Sequence, residues 1–148
     1  MAADTAAPRA GFLMPAFQLT EYPSGRTISS KDLIGKPVFI NFWTSWCTYC
    51  RLETPDLVKA HQKYGDKVTF LSVNVASQDD RQAMAKFVQQ YHMTWTIGLD
   101  TAGEAVKTYQ VLGYPTSFFV NRQGVIVDVN VGALSAANME TQLERISH

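Results

Sequence analysis

Val38-Phe39-Ile40-Asn41-Phe42-Trp43-Thr44-Ser45-Trp46-Cys47-Thr48-Tyr49-Cys50 is the stretch on which the reading of this chain turns. With Pro37, its first half is an apolar, β-branched and aromatic run of strand length. Its second half sets the chain's two cysteines three residues apart, ahead of a segment with helical character. Two thiols in the first turn of a helix can form and break a disulfide as a working step. A bridge between such near neighbours closes a tiny loop and constrains little unfolded chain. The pair therefore reads as chemistry rather than as reinforcement.

Working outward, residues 12–19 read as a short edge strand, broken at its start by Pro15. Ser24-Gly25-Arg26 is a turn, and Ile28 begins a second short piece. Ser29 or Ser30 caps a helical turn ending near Gly35. A core strand is predicted over 37–43, a helix over 47–64 ended by Gly65, and a second core strand over 68–75. Asp79 or Asp80 caps the next helix, whose apolar face is Met84, Phe87, Val88 and Tyr91. Residues 94–99 read as a strand and 102–110 as a short helix. Residues 116–120 and 125–131 form a hairpin around Asn121-Arg122-Gln123-Gly124. The last helix starts near Ser135 and aligns Met139, Leu143 and Ile146. Alternating strands and helices, closed by a hairpin and a final helix, predict an α/β domain with a central mixed β-sheet flanked by helices.

Composition agrees with one domain over 12–148, preceded by a flexible N-terminal tail over 1–11. The 148 residues are 46% hydrophobic, enough for a real core. Thirteen basic and thirteen acidic residues cancel, and no basic run or basic aromatic stripe appears, so no nucleic-acid partner is expected. No apolar run reaches membrane-spanning length. Residues 1–11 lack the apolar core of a signal peptide. They read as a tether or a trimmed end, a natural signal or anchor having been removed. Gly11, Gly25, Gly98 and Gly103 form no phosphate-cradling pattern.

An ordinary thiol has a pKa near about 8.5, so little of it is thiolate at neutral pH. A helix N-terminus offers unpaired amides and a positive dipole end, which favour thiolate. Cys47 is placed to attack a disulfide, and Cys50, one turn inward, to attack the mixed disulfide that results. Two other readings stay open: a metal pair and inert packing. Structural zinc takes four ligands, usually two such pairs or a pair with histidines. No second pair exists, and His61, His92 and His148 show no ligand spacing relative to the first, so no metal is expected.

The strand segment 38–43, Trp46-Cys47-Thr48-Tyr49-Cys50, Arg51-Leu52-Glu53-Thr54-Pro55 and Gly113-Tyr114-Pro115-Thr116 together resemble the thioredoxin-fold thiol-disulfide oxidoreductases. Over residues 12–146 the chain is similar to their extracytoplasmic, TlpA/ResA-like branch. The resemblance implies a thioredoxin fold with an N-terminal strand addition over 12–28 and a central strand-helix insertion between Val75 and Pro115. It implies a cis Pro115 facing the dithiol, with Tyr114 and Pro115 binding substrate. Trp46 before the first cysteine shields the thiols and offers a partner an apolar contact, while Thr48 and Tyr49 stand at the rim. Trp43 and Trp95 are expected in the core.

Two departures matter. Thioredoxins carry a buried acid six residues before the first cysteine, where this chain has Asn41, which exchanges no proton. ResA-like members have a glutamate three residues after the second cysteine, here Glu53, which would carry protons to or from the pair if buried. The bland reading is an exposed acid in a helix's first turns. The second departure is Thr48-Tyr49, which lacks the proline many relatives have before Cys50.

The resemblance implies a catalytic set of Cys47, Cys50 and Glu53 that reduces protein disulfides outside the cytoplasm. The protein would lie in the bacterial periplasm or on the outer face of the cytoplasmic membrane, and the full-length form would be anchored. Apocytochrome c is one implied target. No NADPH or flavin site is present and no cofactor is expected, so a membrane thiol-disulfide donor must supply electrons. A monomer is expected. The alternatives are a dithiol oxidase of the same fold, a thiol peroxidase, whose usual single cysteine this motif does not match, and a redox-inactive peptide-binding domain.

Overall fold

In the computed structural model, residues 4–148 are described, and seven strands among them form one mixed sheet. They are β1 (Gln18–Tyr22), β2 (Thr27–Ser29), β3 (Val38–Trp43), β4 (Thr69–Asn74), β5 (Thr96–Leu99), β6 (Thr116–Val120) and β7 (Ile126–Val131). The helices are α1 (Thr48–Tyr64), α2 (Arg81–Gln90), α3 (Glu104–Thr108) and α4 (Ala136–Ile146). The sheet order is β2-β1-β5-β4-β3-β6-β7. Parallel pairs β3–β4 and β4–β5 need crossovers, which α1 and α2 supply. The β6–β7 hairpin continues the sheet antiparallel on the other side of β3. This is the thioredoxin-type α/β architecture the sequence predicts.

Strand β3 reads as an unbroken apolar run because both its faces are buried. Val38, Ile40 and Phe42 point into one core with Leu71, Val73, Tyr109 and Phe118. Phe39 and Trp43 point into the other with Cys50, Leu57, Phe119, Met139 and Leu143. That second core lies under α1 and α4, so the helix that begins at the cysteine pair rests on the middle of the sheet.

The N-terminal addition departs from the expected strand over 12–19. Pairing in β1 begins only at Gln18, and β1 is interior, between β2 and β5. Pro15 has no amide to donate. Residues 12–14 instead pair with the hairpin: the Ile126 amide donates to the Phe12 carbonyl at 2.8 Å and the Met14 amide to the Gly124 carbonyl at 2.9 Å. Residues 1–3 of the expected tail lie outside the described residues. From Thr5 the segment folds back, its carbonyl accepting from the Leu13 amide at 3.0 Å. Gly98 in β5 has a packing reason, since a Cβ there would stand 2.7 Å from Leu19 Cδ1.

Candidate active site

Strand β3 ends at Trp43, and after three intervening residues the chain turns into α1 with Cys47 as its N-cap. The cap is made by sulfur. The Cys50 amide donates to Cys47 Sγ at 3.1 Å, meeting one of the amides a helix start leaves free. Cys47 Sγ in turn donates to the Tyr114 carbonyl at 3.4 Å. The Tyr114–Pro115 peptide is cis, as the resemblance implied, and so is Tyr22–Pro23. Both cysteines are unbridged. Cys47 is 6% exposed and Cys50 only 2%, so an incoming disulfide meets Cys47 first. Burial, with the Cys47 side chain beside it, pushes the Cys50 thiol well above the ordinary range.

A groove of about 660 Å³ opens over Cys47. Trp46, Thr48, Tyr49, Gln78, Leu112 and Tyr114 are among the residues that line it. Trp46 is 57% exposed and Tyr49 63%, so both rings are free to meet a partner. Pro115 itself is buried. Four of the five residues expected to touch substrate, Trp46, Thr48, Tyr49 and Tyr114, thus line the groove with Cys47, and Pro115 does not. Trp43 and Trp95 are core residues, as expected.

Glu53 does not take its bland, exposed place. It is 2% exposed, on the side of α1 that faces the sheet. Neither carboxyl oxygen has a hydrogen-bond partner among the described residues. Burial pushes its pKa up to about 8, Asp56 adds to the rise, and the nearby Leu134 backbone opposes it without reversing it. Its charge is felt at Cys50, where it raises the thiol further. A carboxyl that changes protonation near neutrality, one turn past a buried thiol, is equipped to exchange a proton with it.

Asn41, where thioredoxins have an acid, is buried and satisfied. The Ser72 hydroxyl donates to Asn41 Oδ1 at 2.5 Å, and Trp95 Nε1 donates to Ser72 Oγ at 2.7 Å. These residues form a fixed polar row across the sheet with no titratable member.

Sequence reasoning missed the loop between β4 and α2. Of the two adjacent acids, Asp80 caps α2, accepting from the Ala83 amide at 2.9 Å. Asp79 turns instead to the loop before Cys47. Its carboxylate accepts from the Ser45 amide at 2.7 Å and the Ser45 hydroxyl at 2.6 Å, and from Asn74 Nδ2 at 2.9 Å. The signal was two acids where one suffices for a cap.

The redoxin family model matches residues 9–144. The chain belongs to the redoxin family. Thiol-disulfide oxidoreductase ResA of Bacillus thuringiensis subsp. konkukian is 34% identical over 133 residues, 90% of this chain and 76% of that protein. A crystal structure described as thiol:disulfide interchange protein DsbE from Chlorobium tepidum superposes with a TM-score of 0.84 at 27% identity, covering 97% of this chain and all of that one. That of a secreted Mycobacterium tuberculosis disulfide oxidoreductase homologous to E. coli DsbE gives 0.76 at 27% identity, over 87% and 95% of the two chains. Within the redoxin family the chain stands with the TlpA/ResA-like members. It is a thiol-disulfide oxidoreductase of thioredoxin fold.

Proposed function

We propose that this redoxin-family protein reduces disulfides of other proteins outside the cytoplasm. Cys47, as thiolate, attacks one sulfur of the substrate disulfide. That bond breaks, a mixed disulfide forms, and the first substrate thiolate leaves and takes up a proton. Cys50, once deprotonated, attacks Cys47 Sγ. The mixed disulfide breaks and the second substrate thiol leaves. Two electrons and two protons pass to the substrate, and a Cys47–Cys50 disulfide remains.

The observation that carries the reading is the position of Cys47 Sγ, held between the Cys50 amide and the Tyr114 carbonyl under an open groove. Cys50 is the buried resolving thiol. Glu53 serves as its proton acceptor, since burial places its pKa where it can both take and return a proton near neutrality. Trp46, Thr48, Tyr49, Tyr114 and Pro115 bind the substrate segment.

The compartment is supported by the matched Mycobacterium tuberculosis protein, described as secreted. Apocytochrome c thiols, kept reduced before haem attachment, are a suitable target of this class. The oxidised pair is returned to dithiol by a membrane thiol-disulfide donor.

Equilibration of Cys47/Cys50 with a defined thiol buffer at pH 7 tests the direction. A potential near or below about −250 mV supports a reductase. A value near about −120 mV makes the protein a disulfide donor instead. Peptide binding with no thiol-disulfide exchange in the wild type, unaffected by replacing either cysteine, would leave only a redox-inactive peptide-binding domain.

A further inference from the structure

The aromatic wall of the groove is tied together from outside the cysteine motif. Trp46 Nε1 donates to the Gln78 backbone carbonyl at 2.8 Å. The Tyr114 hydroxyl donates to Gln78 Oε1, also at 2.8 Å. The two rings meet edge to face, with centroids 6.0 Å apart and planes at 79°. One residue thus holds both members of the wall, one by its backbone and one by its side chain. Gln78 is itself anchored, because the next residue, Asp79, grips Ser45 and Asn74.

We propose that Gln78 is a specificity-determining residue. It locks Tyr114 against Trp46 and so builds a rigid wall on which a disulfide-bearing polypeptide is read, while a small disulfide reaches Cys47 without using it. The proposal rests on the reading of the dithiol given above and names the substrate class of that site.

The physical case is preorganisation. Trp46 is more than half exposed and Tyr114 half-buried. Rings this open keep alternative rotamers unless something holds them. Each rotamer frozen on binding costs affinity, and a wall already ordered spares that cost. A polypeptide flanking the disulfide lies along the wall. A small aromatic disulfide has only to reach Cys47 Sγ. Gln78 bonds to Trp46 and Tyr114 and to neither sulfur, so its effect falls on recognition rather than on the exchange step. It is exposed, and replacing it buries and removes nothing that the core needs.

The test compares two substrates. Insulin disulfides, with dithiothreitol as the regenerating reductant, represent polypeptides, and 5,5′-dithiobis(2-nitrobenzoate) represents small disulfides. The readout is the ratio of kcat/KM for insulin to the rate constant for the small disulfide. Gln78→Ala frees Tyr114 and should lower that ratio about tenfold, through KM for insulin. Gln78→Glu keeps an acceptor for the Tyr114 hydroxyl and should hold the ratio within about twofold of wild type. Tyr114→Phe breaks the same bond from the other side. Combined with Gln78→Ala it should add no further loss, because the two act as one unit. An unchanged ratio in Gln78→Ala, equal losses on both substrates, or a Glu variant as impaired as the Ala variant would each overturn the proposal. A wild-type chain that exchanges with neither substrate would overturn the dithiol reading itself, and this inference with it.

Discussion

The two faces of the central sheet are built from different materials. On one face, Val38, Ile40, Phe42, Leu71, Val73 and Phe118 pack with Tyr109 and form an almost purely apolar core. Under α1 and α4 the other face interrupts its aromatic core with Asn41, Ser72 and Ser117, adjacent in register across β4, β3 and β6. Glu53 hangs over that side from α1, and Ser117 Oγ and both Glu53 oxygens are buried without partners. Burying polar groups costs stability, and an apolar substitute of the same shape would often be cheaper. The partnerless Ser117 and Glu53 atoms lie on the face that carries the dithiol. The first face is built for packing, and the second carries buried polar groups that packing alone does not require.

If that division is real, substitutions on the two faces should fail in different ways. Cys47→Ser should abolish disulfide reduction in the insulin assay while leaving the fold intact by circular dichroism. Cys50→Ser should also stop turnover, but it should accumulate a mixed disulfide with the target, visible as a covalent adduct on non-reducing gels. Normal turnover by Cys50→Ser would end the two-thiol scheme.

Phe42→Ala, on the apolar face, should cost about 3–5 kcal/mol of stability in denaturant unfolding, with the dithiol potential unchanged. A shifted potential would show that the two faces are coupled.

Glu53→Gln should act through pH. The folded-state pKa of Glu53 stands above its ordinary value, so its contribution to stability is complete in acid and is lost as pH rises from about 4.5 to about 8. The unfolding free energy of the wild type should fall across that window by an amount on the order of 5 kcal/mol, and that of Glu53→Gln should not. The pH profile of Cys50-dependent resolution should shift as well. An unchanged profile would remove Glu53 from proton transfer while leaving its burial intact.

Asn41→Ala should be the mildest of the series. It leaves the Ser72 hydroxyl without its acceptor and should cost about 1–3 kcal/mol. Because Asn41 does not titrate, the pH dependence of exchange should stay as in the wild type.

The pattern of elements was legible because periodicity and breakers report it directly. Met139, Leu143 and Ile146 line the buried side of α4, and Gly65 ends α1, as read. Residues 12–16 misled because an apolar run looks alike whether it joins the sheet or borders the hairpin. Only the pairing partner, Gly124 to Ile126, decides between the two. At the site, the dithiol stood out because both its cysteines are local in sequence. Gln78 and Asp79 did not, since each acts on residues more than thirty positions away.

By itself, then, the sequence determined the strand, the helix and the two thiols at their junction, together with a family resemblance wide enough to imply cis Pro115. These follow from local propensity, spacing and motif. Tertiary structure alone decided that Glu53 is buried, that Cys50 is hidden behind Cys47, and that Asp79 holds the active-site loop rather than capping a helix. Burial and long-range hydrogen bonds set pKa values and position side chains, and both arise only when elements distant in the chain are brought together.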